Sequence, residues 1–169
     1  MELLKRYPKN GDYLVRSKEF KEAVGKFPTG VAIISTIDNG DLWGFTANSF
    51  VSVSLSPPLI SFCLDKKSGS FAAFNKARYF AVSILAGNQA DIAKHFAYKS
   101  SNKFVNIDYE IMDFSGVPLI VGAVCFIECQ KYNQFECGDH FIFIGKVTKT
   151  KVNSEKLPLL YFAKSYQEI

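Results

Sequence analysis

Residues 46–54 carry five short hydrogen-bonding side chains, Thr46, Asn48, Ser49, Ser52 and Ser54, between two apolar runs at 31–37 and 59–64. A core strand has no use for so many small donors and acceptors, whereas a site that hydrogen-bonds a flat polar ligand does. The other chemistry-bearing types are sparse. There are two histidines, His95 and His140, and four cysteines, Cys63, Cys125, Cys129 and Cys137. No nucleophile–base pair stands out, and Gly-x-Ser-x-Gly, Gly-x-x-x-x-Gly-Lys and Gly-x-Gly-x-x-Gly are all absent. Neither a hydrolase nor a Rossmann nucleotide binder is supported. Cys125 and Cys129 lack metal-ligand spacing; on a strand they share one face with Ile127 and read as core, so no metal is expected. Reduced thiols are favoured over two disulfides in a core-rich chain. If an organic cofactor does the hard chemistry, the protein needs only to bind it, orient it and set its electrostatics.

The elements that must position these residues follow from local pattern. Residues 1–16 read as an N-terminal arm and 17–169 as one domain. Ser17 is placed to cap a short helix over 18–26, with Phe20, Val24 and Phe27 on one face. Phe27-Pro28-Thr29-Gly30 is a rigid turn. A hairpin follows, because Asn39-Gly40 takes the positive φ values of a tight reversal. The run 59–64 is expected to be a strand buried on both sides. The polar turn 65–70 then leads into two turns of helix over 71–77. A strand is expected over 78–85, a helix over 88–96 and a polar loop over 98–104. The segment 109–114 is uninformative. One long strand is expected from Gly116 onward to Tyr132, with a connection over 133–139 and a return strand over 141–152. Strands with Gly-rich turns and only short helices argue for a closed or partly closed antiparallel barrel.

Whole-chain properties bound the function. At 169 residues, 48% hydrophobic and 15% aromatic, the chain supports a single sizeable core. Sixteen phenylalanines and only 21% charged residues suggest a β-rich interior and a buried subunit face. The net charge of +4 comes without a dense basic run, so nucleic-acid binding is not suggested. No apolar run reaches the length of a membrane span, and the first residues lack an apolar leader core, so the expected location is cytoplasmic.

The order PTGV (28–31), WGFTANSF (43–50), SVSLSPPL (52–59), FAVSIL (80–85) and CGDHFIFIGKV (137–147) resembles the flavin reductase family. The resemblance runs over about 20–166. It implies a mainly β, antiparallel, Greek-key split barrel with a few short flanking helices, which binds FMN, with FAD the alternative. It also implies NAD(P)H as hydride donor, a homodimer and a partner monooxygenase. By the same resemblance, Thr46, Ala47, Asn48 and Ser49 run along the flavin, with Pro28, Thr29, Ser61, Cys63 and Phe104 also in contact. Lys67, Ser68 and Ser70 stand at the phosphate, where family members often carry Arg and Thr; a lysine offers a point charge without the bidentate fork. Taken alone, that turn reads more readily as an ordinary helix start with a solvated lysine pair, and it is the resemblance that turns the reading toward phosphate. Gly138, Asp139 and His140 match the nicotinamide side, with His140 orienting rather than transferring a proton. His95 reads as structural. Family members often carry His-Gly where Trp43-Gly44 stands here, so any ligand contact by that histidine is lost. A flavin-binding electron-transfer protein and a non-catalytic barrel that binds a protein partner remain alternatives at this level.

Overall fold

The computed structural model describes residues 15–100 and 102–168; most of the expected arm lies outside the described residues. Helix α1 (Ser17–Val24) precedes β1 (Thr29–Gly30), β2 (Ala32–Asp38), β3 (Asp41–Ala47), β4 (Val51–Leu55) and β5 (Pro58–Asp65). Next come α2 (Phe71–Lys76), β6 (Tyr79–Ile84), a 3-10 turn at Gly87–Gln89 and α3 (Ala90–Ala97). The chain continues with β7 (Tyr109–Ile111), β8 (Pro118–Ile120), β9 (Cys125–Cys137), β10 (His140–Val152), β11 (Leu160–Phe162) and β12 (Ser165–Gln167).

The Asn39-Gly40 hairpin forms as expected. Both residues have positive φ (52° and 89°), with Asp38 opposite Asp41. That turn matches the right-handed twist of the strands it joins. Seven strands then pair antiparallel in the order β3-β2-β6-β9-β10-β5-β4. Laid flat, β3 and β5 would lie five strand spacings apart, about 24 Å. Yet the rings of Phe45 on β3 and Phe62 on β5 have centroids only 5.8 Å apart. The sheet therefore curls into a barrel. Phe62, fully buried, is its hub: Phe74 and Phe80 meet it edge-on and Phe143 stacks on it. Offset and edge-to-face contacts are the favoured aromatic geometries.

Closure is incomplete, as a split barrel requires. β3 has one ladder neighbour, β2, and no ladder joins it to β5. Two hydroxyls bridge the seam instead. The Cys63 N–H donates to Ser49 Oγ at 3.0 Å, and Ser70 Oγ donates to the Gly44 carbonyl at 3.1 Å.

A second layer covers β2 from outside. Ile34 faces the barrel core, while Ile33 packs with Phe96, Phe104, Ile120 and Leu159. Buried hydroxyls in this region all find backbone partners: Ser35 donates to Pro118, Thr36 to Tyr79 at 2.7 Å, and Ser83 accepts from Ile120 at 3.0 Å. An unpaired buried hydroxyl would cost about 1–3 kcal/mol.

Several expectations are corrected. Ser17 is the first helical residue, and Arg16 sits at the cap without a side-chain bond. The apolar face of α1 is uncovered, with Phe20, Val24 and Phe27 all exposed. β5 is buried on one face only: Ile60, Phe62 and Leu64 point in, and Ser61 and Cys63 point out half-exposed. The single long strand from Gly116 is two strands. Gly122, at φ 82°, turns the chain from the small β7–β8 hairpin into the barrel. The segment 109–114, which carries no clear local pattern, supplies β7. The segment 133–139 continues β9 to Cys137 and reverses at Gly138 (φ 61°), because β9 and β10 pair along nearly their whole length. All four cysteines are free. Burial pushes the Cys129 thiol up to about 12, helped by Glu128, so it stays protonated in the core.

Gly145 is required by this packing. A Cβ there would lie 2.3 Å from Phe80 Cζ and 2.8 Å from Cys129 Cβ. We expect Gly145→Ala to lower unfolding free energy by about 1–3 kcal/mol in urea titrations. Gly69→Ala, with no neighbour within 4 Å, should change it by less than about 0.5 kcal/mol.

Candidate active site

The seam between β3 and β5 opens into a cavity of about 960 Å³. Its floor is the free edge of β3, its near wall the end of β5 with the turn 65–70, and its far wall the end of α3 and the loop behind it. The Gly44 carbonyl points away from β2, since it accepts from Ser70. Alternation along an antiparallel edge strand turns the backbone groups of Thr46 the same way, into the cavity. An unpaired strand edge thus supplies amide donors and acceptors without any special side chain.

The turn after β5 holds its shape through Asp65. Its carboxylate accepts from the Lys67 N–H at 2.7 Å and its carbonyl from the Ser68 N–H at 2.9 Å. Lys66 is occupied: it pairs with Glu136 and lies 5.9 Å over the Phe141 ring. Lys67 and Ser68 are left facing the cavity. On the far wall, Lys103 donates to the Phe96 carbonyl at 2.8 Å, and its burial lowers its pKa.

His140 stands on the rim. It pairs in register with Asp65, two residues past Cys63, so it sits about 7 Å along the strand from the level of Ser49. Its Nδ1 donates to Asp139 Oδ1 at 2.7 Å. That hydrogen bond, then the charge of His140, holds the Asp139 carboxyl below its usual range. With Nδ1 committed, Nε2 is the nitrogen left for another molecule.

A second cavity of about 740 Å³ adjoins the first, and Asn48 and Ser49 line both. Pro28 and Thr29 line the second. Thr29 Oγ1 is the one buried side-chain polar atom among the described residues without a partner. A ligand or a neighbouring subunit that bonds it would recover the desolvation cost.

The structure therefore gathers Thr46, Ala47, Asn48, Ser49, Cys63, Lys67, Ser68, Ser70 and His140 about one cavity. Their groups are not equally free. Thr46 Oγ1 donates to Ala93 of α3 at 2.6 Å, and the Ala47 side chain is in the core, so these two offer backbone. Ser70 is buried, its hydroxyl spent on Gly44 and its N–H on Ser68 Oγ at 3.3 Å. Ser61 points outward beyond the cavity. Phe104 belongs to the second core layer, edge-on to Phe96 and Tyr109, and does not line the cavity. Gly138 and Asp139 lie behind His140 rather than on the wall. His95 bonds the Lys103 carbonyl at 2.9 Å, a structural contact. Trp43, Tyr98, Lys99 and Lys103 also line the cavity, although no motif marks them as site residues. The cluster of polar and basic residues over 98–103 was the one available signal, and nothing local ties it to β3.

The sequence matches the flavin reductase like domain over residues 24–169. A flavin reductase of Pseudomonas putida is 38% identical over 148 residues, covering 87% of this chain and 86% of that one. The flavin-dependent monooxygenase reductase subunit HsaB of Rhodococcus jostii is 36% identical over 152 residues, covering 90% and 77%. Among solved structures, the Streptomyces globisporus NADH:FAD oxidoreductase SgcE6, in complex with NAD and FAD fragments, superposes with a TM-score of 0.87 at 36% identity, covering 92% and 96%. With its seam, its cavity and these likenesses together, the chain belongs to the flavin reductase like domain family.

Proposed function

We propose that this protein is an NAD(P)H:flavin oxidoreductase that delivers reduced flavin to a partner oxygenase. The observation that carries the reading is the seam cavity, where a free strand edge, Asn48 and Ser49 meet a turn that presents Lys67 and Ser68. Flavin, when bound, supplies the hydride acceptor; the chain's residues bind and orient the two nucleotides. The β3 edge and Asn48 suit the polar rim of the isoalloxazine, and the orphaned Thr29 hydroxyl fits a further bond on that side. Donors placed there favour the negative charge that builds on reduction. Lys67 and Ser68 suit the phosphate. Gly138 gives the positive φ for the turn into β10, Asp139 fixes the His140 tautomer, and Nε2 of His140 is left to orient nicotinamide. The reductase-subunit relative supports the partner oxygenase.

We also propose a C2 homodimer. Exposed Phe20, Val24 and Phe27 of the α1 region and Val51, Val53 and Leu55 of β4 form apolar surface that a second subunit would cover. No described helix is long and apolar enough to cross a membrane, and four free thiols suit a reducing cytoplasm.

Stopped-flow reduction of flavin by NADH and by NADPH tests the activity, and no reduction of FMN or FAD by either nucleotide would end this reading. His140→Ala should raise the NADH KM while leaving flavin affinity within about twofold. A loss of ~10²–10⁴-fold in kcat with a matching pH dependence would instead mark general-acid catalysis. Lys67→Ala should weaken FMN by about 1.5–3 kcal/mol and riboflavin hardly at all. Ser70→Ala should lower the melting temperature and affect both ligands alike, because its hydroxyl closes the seam. Light scattering should give twice the chain mass at micromolar concentration, and Leu55→Asp should shift the population to monomer. A monomeric wild type would refute the dimer, for which an obligate interface of at least ~2,000 Å² is expected.

A further inference from the structure

Glu128 is the one buried charged residue among the described residues, at 5% exposure. It lies outside both the seam cavity and the cavity beside it. A buried carboxylate is costly unless its oxygens are paired or hydrogen-bonded. Here Oε1 accepts from Ser115 Oγ. The second oxygen has no donor among the described residues and opens on a separate cavity of about 490 Å³. That volume falls in the range of small-molecule sites, roughly 300–1,000 Å³.

This cavity lies between the β7–β8 hairpin and the outer face of β9 and β10. Ile127 and Cys129 point into the barrel core, so Phe126 and Glu128 point the other way. Phe126, Leu119 and Met112 pack together as its apolar floor. The two rims differ in charge. Glu110 of β7 and Asp113 just after it stand on one side, Lys149 and Lys151 of β10 on the other. Lys149 is directly opposite Glu128 in the ladder, and Lys151 is opposite Phe126. Both lysines therefore share the face of the carboxylate, and such opposed residues have Cβ atoms about 4.5–5.5 Å apart. Yet no ion pair among the described residues joins Glu128 or the rim acids to either lysine. The acids do not converge as metal ligands either, among the described residues. Both signs of charge are held around one cavity, each with bonding capacity left for a third group.

That arrangement selects a zwitterion. An ammonium group satisfies the open oxygen of Glu128, a carboxylate meets the rim lysines, and an apolar side chain lies on Phe126 and Leu119. A plain amine leaves the lysines unmet, and a plain acid leaves Glu128 unmet. We propose that this cavity is a binding site for a free α-amino acid with an apolar side chain, its ammonium on Glu128 and its carboxylate toward Lys149. The site goes beyond the flavin chemistry and does not depend on it.

Calorimetric titration of the full chain with L-phenylalanine, L-leucine and L-methionine tests the proposal. At least one should bind with a Kd in the millimolar range or tighter, and binding of none would overturn it. For phenylalanine, 2-phenylethylamine lacks the carboxylate and 3-phenylpropionate lacks the ammonium. Each should bind about tenfold or more weakly, the effect of losing one charge-assisted hydrogen bond. Glu128→Gln keeps the side-chain shape and an oxygen for Ser115, and it should weaken the amino acid by a similar factor. Lys149→Ala combined with Lys151→Ala, both at exposed positions, should weaken the amino acid but not 2-phenylethylamine. That surface variant keeps the test decisive if the buried one folds poorly. Both variants should reduce flavin as wild type does. Equal binding of the amine and the amino acid would mark a site for cationic groups alone, such as a lysine of a docking protein, and overturn the proposal. Amino-acid binding unchanged in both variants would place the ligand elsewhere and overturn it as well.

Discussion

Two serine hydroxyls hold together the part of this barrel that has no ladder. Across the β3–β5 seam, Ser49 receives the Cys63 N–H and Ser70 donates to the Gly44 carbonyl. Everything else at the seam is side-chain packing around Phe62. Such bonds contribute only about 0.5–1.5 kcal/mol each in net terms, but they fix the separation of two strands that the aromatic core alone would leave free to slide. A full ladder would have been stronger, and it would have filled the cavity with backbone hydrogen bonds between strands.

An open strand edge is ordinarily a hazard, since its unpaired groups invite another strand. Here the edge of β3 is shielded by the α3 loop on one side and the turn 65–70 on the other, and it faces a cavity rather than bulk solvent. The same unpaired amides that would promote aggregation become a fixed array for a planar polar ligand. Thr46, tied by its hydroxyl to α3, keeps that array in place. The site thus depends on geometry imposed from both layers of the fold: the aromatic core from inside and α3 from outside.

The charges around the cavity are sorted in a similar way. Of the two adjacent lysines, Lys66 is drawn off by Glu136 and the Phe141 ring, and Lys67 is left to the cavity. Asp65 shapes the turn through its own carboxylate. Asp139, fully exposed, pairs with His140 and so determines which imidazole nitrogen faces outward. Asp65 and Asp139 thus each position a neighbour through their carboxylates, while Lys67, Lys99 and Lys103 also line the cavity.

Much of this was legible in the chain itself. Asn39-Gly40 dictated its hairpin because few other residues tolerate two positive φ values in succession. The alternation in 125–129 and 141–147 set which residues face the barrel, because the side-chain period of a strand is two. The ordered motifs pointed to the family and to Asn48, Ser49, Lys67 and His140. What only the tertiary structure decided is where distant segments meet. Whether the Ser70 hydroxyl faces a ligand or Gly44 depends on how far the sheet curls, a property of seven strands and of none singly. Phe104 sits in a loop whose sequence suits a ligand wall as well as a core, and α3 packing on Ile33 chose the core. Trp43 and Tyr98 are 55 positions apart, with no local pattern relating them. They share a cavity because the edge of β3 and the end of α3 are brought together by the Thr46 bond and the Phe96 ring over Gly44, and contacts of that range carry no local signature.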